Sequence, residues 1–340
     1  MSERRLHLSR ERIIAFRRRI GGLDERLPRS AESLRRAAWA GLQDSVPRAA
    51  LLSINARVHD TQPDDWEHPS LVQLWGPRFS AYGVAKRDIP FFTLGRLPDD
   101  ERGRRRAEET ADRLHAFLGG RRMTYESAGH QMGVNPNMLR YAAPTGTVLM
   151  RWDGARSPVI WSIERPSMEP ADAQLELARR YLHVFGPGTA TSFAQWAGIG
   201  RRQGASSFDR LGDELAPTRT PVGDGWILAA DEQALTAPPG PTAAARLLPS
   251  GDAYTLLQGA ERELLVPRAQ DREQLWTPRV WPGALLVEGE IVGTWRRAQA
   301  AMSVSPWRRL TSVERAAVEA EAVELPLPGL TGPVSVTWEA

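Results

Sequence analysis

Residues 175–198 read LELARRYLHVFGPGTATSFAQWAG. Apolar residues recur at helical spacing up to Gly186, which predicts a helix over 175–185. Thr189 is a favourable N-cap for a second, short helix that ends at Gly198. The stretch therefore predicts a long helix followed by a short, capped one.

The same order of elements occurs twice in the chain. In both units a Thr lies nine residues before a helix-ending Gly: the pairs are Thr124/Gly133 and Thr189/Gly198. Another helix and a β-hairpin follow each pair: a helix at 135–143 and a hairpin at 148–163, then a helix at 203–215 and a hairpin turning at 222–225. A helix, a helix-turn-helix and a hairpin in this order are typical of a winged helix.

The flanking regions extend this division. The N-terminal region has the same order, with helices predicted at 10–20 and 31–42 and a third opened by Pro47. Strands predominate after an Ala- and Pro-rich linker, one of them at Leu264–Val266. We predict an α+β protein with these segments: 1–97, an N-terminal winged-helix-like unit; 98–168, a middle winged helix; 169–230, a third; 231–245, a linker; and 246–340, a C-terminal β-rich domain.

Composition excludes several classes of function. With 340 residues, 41% hydrophobic and 25% charged, the chain is typical of a soluble protein of two or three domains. It contains no run of about 18 apolar residues and no apolar N-terminal stretch, so we expect a cytoplasmic protein. Cysteine is absent, and the six histidines lack metal-ligand spacing, so we expect neither a disulfide nor a metal.

Positive charge is concentrated at the N-terminal end. Residues 1–50 hold 12 Arg against 6 Asp or Glu, a net charge of +6, whereas the whole chain carries +3. Such asymmetry is typical of a protein with a polyanionic partner. Lys86 is the only lysine among 44 basic residues, which codon composition alone could also explain. The Arg-rich segment 98–113 fits either a solvated helix face or a DNA-facing one.

Four blocks of the sequence are informative together. They are Gly41-Leu42-Gln43 with Pro47-Arg48; Ala178–Leu182 through Phe185-Gly186-Pro187 to Phe193–Gly198; Arg246–Pro249; and Leu286–Gly289 through Val292–Arg297. In these blocks the chain resembles a bacterial family of winged-helix DNA glycosylases, which is typified by the azinomycin-resistance glycosylase that unhooks interstrand crosslinks and includes relatives that remove alkylpurines.

The resemblance implies a fold and a reaction. The fold is three tandem winged helices and a C-terminal β domain that form a C-shaped cleft around double-stranded DNA. The reaction is hydrolysis of the N-glycosidic bond of an alkylated or bulky-adduct purine, in DNA repair or genotoxin resistance, without a lyase step. An alkylated purine is cationic and leaves readily, so the protein mainly stabilises the sugar cation and orients a water. We expect a monomer without a cofactor.

The resemblance places catalysis at Gln43-Asp44-Ser45. Side chains at i and i+2 of an extended step point the same way, so Gln43 and Ser45 could share the catalytic tasks. Gln43 matches the family's first catalytic residue, whereas Ser45 occupies a place normally held by Gln or Asp. Asp44 is a candidate for assisting charge, although it should face the opposite side. Other nearby acids could substitute, and the spacing selects none of them: Asp60, Asp64, Asp65 and Asp88.

Several polar side chains are candidates for contacts with DNA. They lie beside the catalytic step, at the start of the middle unit's presumed recognition helix, on its hairpin, and on the first helix of the third unit. The candidates are Arg48, Asn135, Asn137, Arg140, Arg151, Arg156, Arg179 and Arg180.

Three hypotheses about function remain open at this stage. The first is a DNA glycosylase. The second is a DNA-binding protein, a damage binder or a regulator, that has the same scaffold without the chemistry. The third is a protein-interaction scaffold, since tandem winged helices also serve as protein contacts.

Overall fold

The computed structural model describes residues 5–330 and 332–339. The α-helices are α1 (Arg10–Ile20), α2 (Ala31–Ala37), α3 (Ala49–Asn55), α4 (Ile89–Phe92), α5 (Glu101–Leu118), α6 (Tyr125–Gln131), α7 (Pro170–Phe185), α8 (Ala190–Ala197), α9 (Arg201–Leu211), α10 (Glu232–Thr236), α11 (Glu261–Leu265), α12 (Ala269–Leu275) and α13 (Ser312–Val323). The strands are β1 (Leu6–His7), β2 (Leu42–Gln43), β3 (Leu71–Trp75), β4 (Ala81–Ala85), β5 (Met123–Thr124), β6 (Val148–Arg151), β7 (Val159–Ser162), β8 (Leu215–Thr220), β9 (Gly223–Leu228), β10 (Ala245–Leu248), β11 (Gly283–Val287), β12 (Glu290–Ala298), β13 (Ala301–Pro306) and β14 (Ser335–Trp338).

Helices and strands form a mixed α+β fold, which confirms the predicted class. The strands make three sheets, in the orders β2-β4-β3-β6-β7-β5, β1-β8-β9 and β10-β11-β12-β13-β14. The first sheet joins the N-terminal region to the middle unit, because Gln73 of β3 pairs with Met150 of β6. The predicted boundary at residue 97 therefore separates segments whose strands share a sheet.

The repeated stretch forms the centre of the largest hydrophobic core. Tyr181 and Phe185 of α7 lie one helical turn apart, and their ring centroids are 5.3 Å from each other. Trp196 of α8 is fully buried against both rings, at 5.5 and 5.3 Å. Large aromatic side chains contribute much of the energy of a core, so this cluster explains why α7 and α8 pack as a unit.

A buried ion pair fastens the C-terminal part of the chain to the N-terminal helices. Asp252, which follows β10, accepts hydrogen bonds from Arg57 at 2.7 and 2.8 Å and from Ser53 of α3 at 2.6 Å. Both partners of the ion pair are buried. Removing one partner of a buried ion pair typically costs about 3–5 kcal/mol, so these groups fix the position of the segment after β10.

Several predicted elements differ from the structure. Leu264–Val266, predicted as a strand, begins inside α11, because a short apolar run fits either period and these leucines pack as helix residues. The helix predicted at 31–42 ends at Ala37, since Leu42 pairs with Gly83 of β4. The turn predicted at 222–225 lies two residues earlier, between Thr220 and Gly223.

The middle unit contains one helix of a different kind from the α-helix predicted. The second helix predicted there is a 3₁₀-helix, Pro136–Thr145. Among the residues that the structure describes, no helix combines the length and apolar character needed to cross a membrane.

Candidate active site

Gln43 is held in place by strand pairing and by a glycine. It pairs with Tyr82 as β2 joins β4. Gly41, just before β2, has φ +74°, and a Cβ there would lie 2.8 Å from the Tyr82 ring and 2.9 Å from the Phe92 ring. A larger residue is therefore excluded at position 41, and the chain enters β2 directly over these two rings.

The side chain of Gln43 is half-buried between two parts of the molecule. Its Oε1 accepts hydrogen bonds from the Tyr82 hydroxyl at 3.2 Å and from Arg78 at 3.4 Å. Its Nε2 lies against Gly251, where a Cβ would approach to 2.9 Å, and it donates no hydrogen bond to any described residue. The amide group thus has a fixed orientation and two N–H donors left for a ligand.

Asp44 faces the interior, as the alternation of an extended step requires. Its carboxylate accepts hydrogen bonds from the backbone of Ala50 at 3.0 Å and from Gln73 at 2.7 Å. Burial raises the pKa of Asp44 to about 6, and these hydrogen bonds offset part of that effect. Asp44 therefore joins α3 to β3, and its side chain is 3% exposed.

Ser45 is exposed and lies at the edge of a cavity. The cavity has a volume of about 240 Å³ and begins at Val46 and Pro47. Trp281, Arg296 and Arg297 of the C-terminal part form its far wall. The step therefore leads directly into a cavity lined by both the N-terminal and the C-terminal parts of the protein, and the Gln43 side chain lies against Gly251, the neighbour of the lining residue Ser250.

The structure brings one further acid to this step. The turn between β6 and β7 packs on Pro47, with a Cβ at Gly154 reaching 2.7 Å from the Pro47 side chain. Asp153 of this turn accepts hydrogen bonds from the backbone of Ala155 and Arg156, which lower its pKa, and the charges of Arg151 and Arg48 lower it further. Asp153 is therefore ionised near neutral pH.

The other acids named from the sequence have different surroundings. Asp88 and Asp65 are buried, and each accepts two hydrogen bonds from an arginine, Arg180 and Arg29 respectively. Asp60 and Asp64 are exposed. In residues 5–330 and 332–339, no group of three or more His, Asp or Glu side chains has a geometry that could hold a metal ion.

Three of the arginines proposed to contact DNA cluster beside the step. Arg48, in a left-handed conformation with φ 68°, lies 4.8 Å over the Trp66 ring, and Arg151 lies 5.6 Å from the same ring. Arg151 also forms an ion pair with Glu67. Arg156 is exposed, and its side chain has no ion-pair or hydrogen-bond partner in the described part of the chain.

Three further candidates of the middle unit belong to its 3₁₀-helix, Pro136–Thr145, or to the residue that caps it. Asn135 and Asn137 are exposed at the start of the 3₁₀-helix, where Asn135 accepts a hydrogen bond from the backbone of Asn137 at 3.0 Å. Arg140 is half-buried and lies 5.6 Å from the Tyr125 ring. The two asparagines thus remain accessible to a partner.

The two arginines of α7 have different environments. Arg179 forms a bidentate ion pair with Glu214, at 2.7 and 2.8 Å, at the surface. Arg180 is 4% exposed, pairs with Asp88 at 2.8 and 3.0 Å, and stacks over Trp39 at 4.1 Å. Protein groups therefore occupy the guanidinium of Arg180, and a contact with DNA is not available to it in this structure.

Sequence reasoning missed three residues around the Gln43 side chain: Arg78, Tyr82 and Gly251. Arg78 lies in a short 3₁₀-helix with a left-handed backbone, φ 54°, and also donates to the Trp196 carbonyl at 2.9 Å. Gly251 is far from Gln43 in sequence, and no local pattern signals the contact. The contact with Tyr82 depends on the pairing of β2 with β4, whereas the sequence predicts a helix up to Leu42.

Comparisons with known proteins identify a family, a related sequence and a related structure. A family model described as "DNA glycosylase AlkZ-like" matches residues 36–326. A curated protein of Streptomyces sahachiroi, "Interstrand DNA cross-link repair glycosylase", is 27% identical over 163 residues, which are 46% of this chain and 43% of that protein. The match thus spans less than half the length of that relative.

A solved structure matches over almost the whole chain. It is that of the Streptomyces sahachiroi DNA glycosylase AlkZ, with a TM-score of 0.78 and 18% sequence identity. The superposition covers 98% of this chain and 100% of the other. At this identity the likeness concerns the fold, and together with the family model it confirms the resemblance inferred from the four sequence blocks.

Proposed function

Because this chain belongs to the AlkZ-like DNA glycosylase family, we propose that it is a monofunctional DNA glycosylase. Its substrate is an alkylated or bulky-adduct purine in double-stranded DNA, and its product is the free base together with an abasic site. The observation that carries this proposal is Gln43, whose Nε2 lies against Gly251 and donates no hydrogen bond to any residue that the structure describes.

The proposed chemistry requires little from the protein. An alkylated purine leaves as a neutral base, so the protein must stabilise the sugar cation and direct a water to its anomeric carbon. In the proposal, Gln43 positions the attacking water by donating a hydrogen bond to its oxygen, and Ser45 assists from the same side. As the water oxygen bonds to the anomeric carbon, the water loses a proton to the Asp153 carboxylate or to solvent. Asp153 supplies the negative charge that the family's second catalytic residue can supply, and Asp44 supports the step from the interior.

The proposed binding mode uses the order of elements around the step. The α5-α6-hairpin and α7-α8-α9-hairpin series match the order of winged helices. We propose that these units and the C-terminal β-rich domain line a C-shaped cleft for duplex DNA. The hairpin between β6 and β7 would place Arg151 and Arg156 on the phosphates near the lesion, with Arg48 beside them.

A second candidate function rests on Ser45. A serine is shorter than the Gln or Asp normally found there, and it is uncharged. This difference favours a protein that binds damaged DNA without cutting the glycosidic bond. Both candidates predict salt-dependent duplex binding, because phosphate contacts release counterions.

One experiment separates the two candidates. The protein is incubated with duplexes that carry a single N7-methylguanine, N3-methyladenine or bulky N7-guanine adduct, and abasic sites are detected by alkaline cleavage. The glycosylase proposal predicts cleavage at the modified position with at least one of these lesions, and none with unmodified DNA. Duplex binding without cleavage at any lesion, by protein shown to be folded, would establish the binding protein instead.

A further inference from the structure

The turn between β3 and β4 holds Arg78 in an uncommon backbone conformation. A hydrogen bond from the Gly76 amide to the Ser80 carbonyl, 2.8 Å long, closes this turn. Within it, Arg78 and Phe79 both adopt the left-handed region, with φ 54° and φ 57°. This region is unfavourable for residues that have a Cβ, and it persists where the surrounding structure enforces it. Two such residues in succession indicate that contacts outside the turn fix Arg78.

Contacts with α8 anchor one end of the Arg78 guanidinium. Its Nη1 donates a hydrogen bond to the Trp196 carbonyl at 2.9 Å. The end of α8 packs closely on the turn, because a Cβ at Gly198 would lie 2.8 Å from the Arg78 backbone nitrogen. Within residues 5–330 and 332–339, the Arg78 side chain donates only to this carbonyl and to Gln43. The anchored guanidinium thus directs its other terminal nitrogen at Gln43.

Arg78 and Tyr82 constrain the Gln43 amide in different ways. Arg78 Nη2 and the Tyr82 hydroxyl both donate to Gln43 Oε1, at 3.4 and 3.2 Å. A guanidinium has only N–H donors, whereas a hydroxyl both donates and accepts. If the amide were rotated by 180°, its NH₂ group would face the N–H groups of Arg78, while the Tyr82 hydroxyl could still accept a hydrogen bond. Arg78 therefore disfavours the reversed amide, and Tyr82 is compatible with both orientations.

We propose that Arg78 is a positioning residue that sets the orientation of the Gln43 amide. This inference rests on the proposed function, in which an N–H group of Gln43 donates to the attacking water. Arg78 keeps Oε1 on its own side and thereby turns Nε2 toward Gly251, where a Cβ would approach it to 2.9 Å. A reversed amide would present its oxygen, which cannot donate the hydrogen bond that positions the water. The role requires no contact between Arg78 and the reacting atoms.

NMR of the full chain labelled with [¹⁵N]glutamine tests the orientation without DNA. The side-chain NH₂ signals of Gln43 are identified by their absence from Gln43→Ala. Wild type should show a nuclear Overhauser effect (NOE) between these hydrogens and the α-hydrogens of Gly251. Tyr82→Phe should retain the NOE, whereas Arg78→Glu should lose it, because a carboxylate only accepts hydrogen bonds and attracts Nε2. An NOE that persists in Arg78→Glu, or that is absent from wild type, would overturn the proposal.

Single-turnover excision at saturating protein distinguishes amide orientation from an effect of charge. A carboxylate at position 78 favours a nearby sugar cation, so Arg78→Glu should excise faster if Arg78 acts by charge alone. Reversal of the amide predicts the opposite, excision slower by at least about tenfold. Arg78→Lys keeps a cation that only donates, and it should excise several-fold faster than Arg78→Glu. Arg309→Glu, at an exposed position, is the charge-reversal control and should retain the wild-type rate.

The two measurements separate this role of Arg78 from the proposed function. Wild type that binds a duplex and excises no lesion would refute the glycosylase, while the NOE would still decide whether Arg78 orients the amide. Excision by folded Arg78→Glu at or above the wild-type rate would refute the role of Arg78 alone.

Arg78→Met replaces Arg78→Glu if the latter does not fold. Methionine has no N–H donor, so both amide orientations become populated and the NOE to Gly251 should weaken to roughly half. An NOE of unchanged intensity in Arg78→Met would contradict the proposed role.

Discussion

At the scale of single residues, Asp44 makes stability depend on pH. Burial raises its pKa from 3.8 to about 6, so the folded state holds the proton more tightly than the unfolded state does. The resulting contribution to stability is fully present below about pH 4 and is lost as the pH rises through 6. A shift of this size corresponds to about 3 kcal/mol.

Urea unfolding of wild type and Asp44→Asn at a series of pH values tests this effect. The free energy of unfolding of wild type, relative to the variant, should fall by about 3 kcal/mol between pH 4 and pH 7. Asp213→Asn, at an exposed position, is the control and should show little pH dependence relative to wild type. A difference that stays constant or increases with pH would contradict the described environment of Asp44.

Under the proposed function, Ser45 is expected to limit the rate of excision. Because Ser45 is exposed, Ser45→Gln should fold with unchanged stability. The longer amide restores a residue type found in the family at the second catalytic place, so we expect faster single-turnover excision, by roughly tenfold, the scale of one added hydrogen bond to the transition state. Slower excision by Ser45→Gln, with normal duplex binding, would contradict this expectation and show that the site requires the shorter serine side chain.

At the scale of elements, the segment after β10 holds the Gln43 amide in place. Gly251 has φ +75° and is in contact with Gln43 Nε2, whereas Gly259 has φ +53° with nothing within 4 Å of a Cβ. Gly→Ala at either position costs about 1 kcal/mol of stability for the left-handed backbone. Only Gly251→Ala should also displace the amide and slow excision, by roughly 10- to 100-fold. Equal excision rates for the two variants would refute a role for this contact.

The hairpin between β6 and β7 is expected to carry a phosphate contact. Arg156 is exposed, and within residues 5–330 and 332–339 its side chain has no hydrogen-bond or ion-pair partner, while the charge of Arg179 is already matched by Glu214. A plot of log K for duplex binding against the logarithm of the salt concentration has a negative slope. This slope should become less steep by about 0.9 in Arg156→Ala. Arg179→Ala should change it less, and the reverse order would contradict the proposed docking of this hairpin.

Elements with strong local signals could be predicted from the sequence. Ser9 caps α1, and this helix spans the predicted residues 10–20. The short apolar run at Leu264–Val266 could not be assigned, because its periodicity fits both a strand and a helix.

At the scale of the whole molecule, long-range partners were beyond sequence reasoning. The charge of Arg180 suggested a surface role, yet its partner Asp88 lies 92 residues away and buries it. The contact between Gln43 and Gly251 likewise depends on how the C-terminal part packs on α3. The alternation along the Gln43-Asp44-Ser45 step was predictable, because an extended backbone places Asp44 inside and leaves Gln43 and Ser45 more accessible.

Single-turnover excision by wild type and Gln43→Ala tests the central claim most directly. Both proteins are mixed in excess with a duplex that carries the most rapidly excised lesion, after equal duplex binding has been verified. The account predicts measurable excision by wild type and a loss of about 10²-fold or more in Gln43→Ala, as expected when a positioned hydrogen-bond donor is removed. Equal rates for the two proteins, or no excision by wild type while it binds the duplex, would contradict it.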